Sequence, residues 1–176
     1  GPGLAAALAL VLGIALAFRE GIWVLAAGAA CLAIGFLYNG GPLPISRTPV
    51  GELAAGGTLG TALFLIAYGL QGGAAQPRPL MASIPGTLFI ASILTVNNSC
   101  DIAGDRAAGR RTLSILIGAR AGGALAAGLG AAAYCLTILL SLAGVLPIAC
   151  AIAAAAGALA SLPLYAGMSR RGDSHE

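Results

Sequence analysis

LMASIPGTLFIASILTVNN, residues 80–98, decides the fold, and it passes directly into SCDIAGDRAAGRRT at 99–112. The first of these segments carries no charge and has about the length, near 20 residues, that an α-helix needs to cross a bilayer core. Working outward, further apolar stretches occupy 4–18, 22–38, 52–70, 119–142 and 145–168. With 59% apolar residues, 9% charged residues and a mean hydropathy of +0.94, the chain has too little polar surface to cover a soluble globule. The expected fold is therefore all-α, a polytopic transmembrane bundle of about six helices, with 1–176 as a single domain. Ala and Gly dominate these stretches, which predicts helices packed closely through small residues such as Gly56 and Gly60. A generally Ala-rich composition accounts for part of that bias.

Several function classes are excluded at once. A net charge of +3, made by Arg residues scattered over the loops, is no nucleic-acid footprint. Cys31, Cys100, Cys135 and Cys150 lie apart without CxxC spacing, so neither a disulfide nor a zinc site is indicated. No solenoid repeat and no cleavable leader can be read. Nothing in the sequence names a protein partner.

The arginines do carry directional information. With the first stretch running outward, one side holds Arg47, Arg106, Arg110, Arg111, Arg120, Arg170 and Arg171, and the other only Arg19 and Arg78. Cytoplasmic loops are enriched in basic residues, which puts Asp101 and Asp105 on the cytoplasmic side of an integral membrane protein. The link from Asn39 to Gly51 is rich in Gly and Pro, cannot be a regular helix, and is expected to fold as a fixed connection rather than a plain turn. The tail from Ser169 to Glu176 reads as a solvated end with an incidental His175.

The chemistry is expected where the apolar stretch ends. Asn97, Asp101 and Asp105 are four apart, so in a continuing helix they share one face at intervals of about 6 Å. Two carboxylates and an amide oxygen are hard ligands suited to Mg²⁺, which commonly shares its shell with substrate phosphates. Arg106, Arg110 and Arg111 can fork onto phosphate oxygens. A solvated, mixed-charge helix end would use the same residues in Asp–Arg pairs across turns. The tandem Asn97-Asn98 weighs against that, because amides at the end of an apolar helix usually face a cavity.

These residues resemble the UbiA-type intramembrane aromatic prenyltransferases, most closely the branch acting on 1,4-dihydroxy-2-naphthoate in menaquinone synthesis. Asn97 to Leu113 looks like the second aspartate-rich motif of that branch. Tyr38-Asn39-Gly40-Gly41-Pro42, with the later Pro49-Val50-Gly51-Glu52, looks like its glycine link. The resemblance implies a nine-helix bundle in a bacterial plasma membrane, a polyprenyl diphosphate donor, an aromatic acceptor and Mg²⁺. It implies that Asp101 and Asp105 bind the metal, that Asn97, Arg106, Arg110 and Arg111 serve the diphosphate, and that Tyr38 lines the pocket near the reacting carbon. The family's first aspartate motif has no counterpart here, since no Asp precedes residue 20. The chain is thus expected to be an N-terminally truncated piece, inactive alone. Ser99-Cys100 also departs from the basic residue that many members place before the Asp. Competing readings are a branch with a hydroxybenzoate, homogentisate or tetrapyrrole acceptor, a transporter fragment with a cation path, and a scaffold without a site.

Overall fold

The computed structural model describes residues 2–74 and 76–171. Residues 172–176, most of the expected solvated tail, lie outside the described residues. The elements are α1 (Pro2–Glu20), α2 (Trp23–Asn39), a 3₁₀ turn (Ile45–Arg47), α3 (Gly51–Ala55), a π segment (Gly56–Ala62), α4 (Leu63–Leu70), α5 (Pro77–Cys100), α6 (Ile102–Ala107), α7 (Leu113–Leu142) and α8 (Ile148–Arg171). No strand occurs among the described residues, so the all-α expectation holds. Four helical runs, Gly3–Glu20, Gly51–Leu70, Pro77–Cys100 and Leu113–Leu142, are long and apolar enough to cross a membrane. Trp23–Asn39 is apolar but shorter, and within α8 the stretch Ile148–Pro163 is apolar.

Two boundaries differ from the sequence reading. The segment between the expected spans 80–98 and 119–142 is not one loop: it holds α6 and the first two turns of α7. That helix starts at Leu113 and bends at Gly118, whose φ of +84° is open to glycine but strained for other residues. At its other end, α5 starts early because Pro77 occupies the first helical position, where its missing N–H costs nothing.

The interior is made of small residues. Among the described residues the buried apolar side chains are Val24, Leu140, Pro79, Pro85 and otherwise alanines, whereas Phe18, Leu32 and Phe36 point outward. This inverts the soluble pattern, as expected where lipid is the solvent and association depends on close backbone approach. α5 is the central helix. On one side it meets the π segment, where a side chain at Gly56 would sit 2.7 Å from the Thr87 carbonyl oxygen and one at Gly60 would run into the Thr87 backbone. A Thr61–Thr87 hydroxyl contact of 2.7 Å closes this seam. On its other side α5 meets α7, where the Ser92 hydroxyl donates to the Ala126 carbonyl at 2.8 Å. The Ser99 and Ser114 hydroxyls lie 2.9 Å apart, and Gly122 leaves room for Ser99. At the start of α5, the Arg78 guanidinium donates to the Gly144 carbonyl in the turn after α7.

Gly60→Val should therefore force α5 away from the π segment and lower stability by about 1–3 kcal/mol, read as a fall in melting temperature in detergent. Gly57→Ala, which would meet nothing within 4 Å, should leave the melting temperature unchanged or slightly raised.

Candidate functional site

At Asp101 the backbone leaves helical geometry (φ −120°, ψ 34°), so α5 stops at Cys100 and α6 begins at Ile102. The connection stays tight, because the Asp105 N–H donates to the Asp101 carbonyl at 2.9 Å and the Arg110 N–H to the Asp105 carbonyl at 2.9 Å. Gly109, at φ +71°, turns the chain back toward α7. This corner corrects the expectation of one continuous stripe through Asn97, Asp101 and Asp105. Asn97 and Asp101 are exposed, whereas Asp105 is buried at 6% exposure. The Asp101 carboxylate lies over Gly104, where a Cβ would come within 3.0 Å of its Cγ.

Asp105 is half satisfied. Its Oδ1 pairs with Arg110 Nη1 at 3.1 Å, while its buried Oδ2 has no hydrogen-bond partner among the described residues. The buried Thr112 hydroxyl, just before α7, is also without a partner among them. Arg106 and Arg111 are exposed on the same corner. Ser99, at the departure from the family pattern, is turned into the α5–α7 seam, and Cys100 is exposed.

The Gly/Pro link is folded, as expected. The Thr48 hydroxyl donates to the Ile45 carbonyl at 2.7 Å, and the Arg111 N–H donates to the Arg47 carbonyl at 2.8 Å, tying the link to the acidic corner. This brings Tyr38, at the end of α2 and half-buried, to the same region, where Glu52 and Arg110 both act electrostatically on its phenol. An apolar cavity of about 280 Å³ lies beside it, lined among others by Cys31, Ile34, Tyr38, Ala55, Thr58 and Leu63. A larger cavity of about 420 Å³, bounded by Trp23, Tyr68 and Pro79, lies at the opposite ends of these helices, away from the acids.

Sequence reasoning assigned no role to Glu52. It is 4% exposed, its Oε1 accepts from Asn98 Nδ2 at 2.7 Å, and its buried Oε2 has no partner among the described residues. The signal was present: a lone acid opening an apolar span directly after a folded link. Of the tandem amides, Asn98 is the one engaged in this part-buried contact, while Asn97 is exposed.

Among the described residues no group of three or more His, Cys, Asp or Glu could hold a metal ion. The donors at the corner are the hard carboxylate oxygens of Asp101 and Asp105, of which Asp105 Oδ2 is open and buried. They fit an ion that takes one or two carboxylates and completes its shell with substrate phosphate and water, and not an all-protein cage.

The sequence profile of the UbiA prenyltransferase family matches residues 3–175. The chain belongs to that family. The 1,4-dihydroxy-2-naphthoate octaprenyltransferase of Bacillus subtilis (strain 168) is 37% identical over 127 residues, which is 72% of this chain and 41% of that protein. The protein of the same name from Mycobacterium tuberculosis is 33% identical over 137 residues, 78% of this chain and 47% of that one. Human UbiA prenyltransferase domain-containing protein 1 is 39% identical over 87 residues, 49% of this chain and 25% of that protein. The chain thus spans less than half the length of these relatives. No solved structure matches it. The two bacterial names agree with the naphthoate-branch resemblance carried by Tyr38–Glu52 and Asn97–Leu113.

Proposed function

We propose that the protein carrying this chain transfers a polyprenyl group from a polyprenyl diphosphate to an aromatic acceptor, 1,4-dihydroxy-2-naphthoate, with Mg²⁺. The observation that carries this reading is Asp105: a buried carboxylate paired to Arg110 on one oxygen and open on the other, at a break in a membrane helix. A buried charge left half satisfied is costly unless something completes it. A divalent cation shared with a diphosphate would do so, and Asp101 on the exposed side of the corner would supply the second carboxylate. The chemistry supplied by the bound Mg²⁺ is neutralisation of the charge that gathers on the leaving diphosphate. Arg110, Arg106 and Arg111 hold the diphosphate through charged hydrogen bonds, and Asn97 orients it. The allylic C–O bond breaks with its electron pair going to the diphosphate. The acceptor ring then forms the new C–C bond and loses its carboxylate as CO₂. Tyr38 and the apolar cavity beside it shield the cation from water. A cation path fits this corner poorly, since Arg110 sits on the buried acid and would repel a passing cation.

The acidic corner faces the cytoplasm in this reading. In support, the Arg111–Arg47 backbone bond gathers Arg47, Arg106, Arg110 and Arg111 at one end of the bundle, while Arg78 lies at the other. With every other cysteine of the whole protein replaced by alanine, exposed Cys100 should react with a membrane-impermeant maleimide in inside-out vesicles and not in intact cells. Labelling from outside only would reverse the orientation.

Turnover is tested with the whole protein in membranes, given Mg²⁺, a polyprenyl diphosphate and dihydroxynaphthoate. Asp101→Ala and Asp105→Ala should each lower kcat at least about a hundredfold while membrane insertion survives. Retained activity in both variants would refute the metal role.

A further inference from the structure

We propose that Glu52 holds the ring hydroxyl of the aromatic acceptor, through the carboxylate oxygen that Asn98 leaves open. The inference rests on the prenyl-transfer reading above and adds to it the residue that recognises the acceptor.

Glu52 is fixed from two directions. Its backbone follows Gly51, which sits so close to the link that a Cβ there would lie 3.2 Å from the Ile45 carbonyl oxygen. Its side chain is held by Asn98 at 2.7 Å. Such double support is what a recognition group requires, because the bound geometry is then set before the ligand arrives. Oε2 nevertheless has no partner among the described residues, although Glu52 is only 4% exposed.

The chemistry of the corner selects what completes that oxygen. An anionic oxygen at that position is excluded, because a carboxylate would repel it. A second metal ion is disfavoured, because Asn98 presents its N–H, a donor, to the same carboxylate. A neutral hydroxyl donor meets every condition. Its ring has a place, since Ala55 lies one turn along the same helix face from Glu52 and lines the apolar cavity together with Tyr38. The cavity, about 280 Å³, approaches the lower end of ligand sites, roughly 300 Å³. An aromatic acceptor lying there presents its hydroxyl to Glu52 and its reacting carbon toward Tyr38, while the diphosphate stays on the Asp105–Arg110 side.

Glu52→Gln separates recognition from architecture, because glutamine still offers Asn98 an acceptor oxygen but replaces the open oxygen with an NH₂ donor. In the whole protein in membranes, the acceptor KM should rise roughly ten- to a hundredfold, the magnitude of a hydrogen bond to a charged group. The KM for polyprenyl diphosphate should not change. Wild type should prefer dihydroxynaphthoate over its O-methyl ether by a similar factor, and Glu52→Gln should lose that preference. An unchanged acceptor KM, an equal rise in both KM values, or a retained preference would overturn the proposal. Glu52→Asp, which withdraws the carboxylate by one methylene, serves if the glutamine variant misfolds: it should raise the acceptor KM alone, and an unchanged value or a parallel rise for the donor overturns it. Wild type that transfers no prenyl group to any aromatic acceptor would instead sink the underlying reading.

Discussion

Close approach of α5 to its neighbours depends on side chains that are absent. In lipid there is no hydrophobic drive to press one helix on another, so contact must come from backbone proximity and interhelical hydrogen bonds. Gly56 and Gly60 let the π segment reach Thr87, and Gly122 lets α7 reach Ser99. The hydroxyls of Thr61, Ser92 and Ser99 then bond across the gaps. Everything at the far end of α5 takes its position from these two seams: Asn98 against α3, Asp105 under Arg110, and the link against Arg111.

That rigidity explains how two acids are tolerated inside a membrane protein. Glu52 and Asp105 each give one oxygen to a partner and keep the other buried without one among the described residues. A flexible corner would relax and solvate both. Here the helix break at Asp101, the left-handed Gly109 and the Arg111–Arg47 bond hold the backbone in place. Half-satisfied carboxylates on a held backbone are what a ligand can complete. The two acids differ in their surroundings: Asp105 has a guanidinium beside it and suits an anionic substrate with its cation, whereas Glu52 has an amide and an apolar cavity and suits a hydroxyl.

The helices were legible in the sequence because the apolar runs are long and their interruptions rich in Gly, Pro and Arg. Gly56 and Gly60 were legible as a packing face because small residues dominate these runs. The folded link was readable from its prolines. What could not be read was the break at Asp101, since the i, i+4 spacing of Asn97, Asp101 and Asp105 is what an unbroken helix would also show. Exposed Asp101 and buried Asp105 therefore differ in a way that periodicity does not encode. Glu52 was hidden for another reason: its contact with Asn98 joins residues 46 apart in the chain, and only the packing of α3 on α5 brings them together. The early start of α7 was missed because the apolar stretch was read only from 119, whereas the helix begins at Leu113.

The central claim is that the open oxygen of Asp105 belongs to a diphosphate site. A structure of the whole protein with Mg²⁺ and an unreactive polyprenyl thiodiphosphate tests this most directly. The account predicts the diphosphate at the corner, hydrogen-bonded to Arg110 and joined to Asp105 Oδ2 through the metal. A diphosphate bound elsewhere, with Asp105 Oδ2 still without a partner, would contradict it.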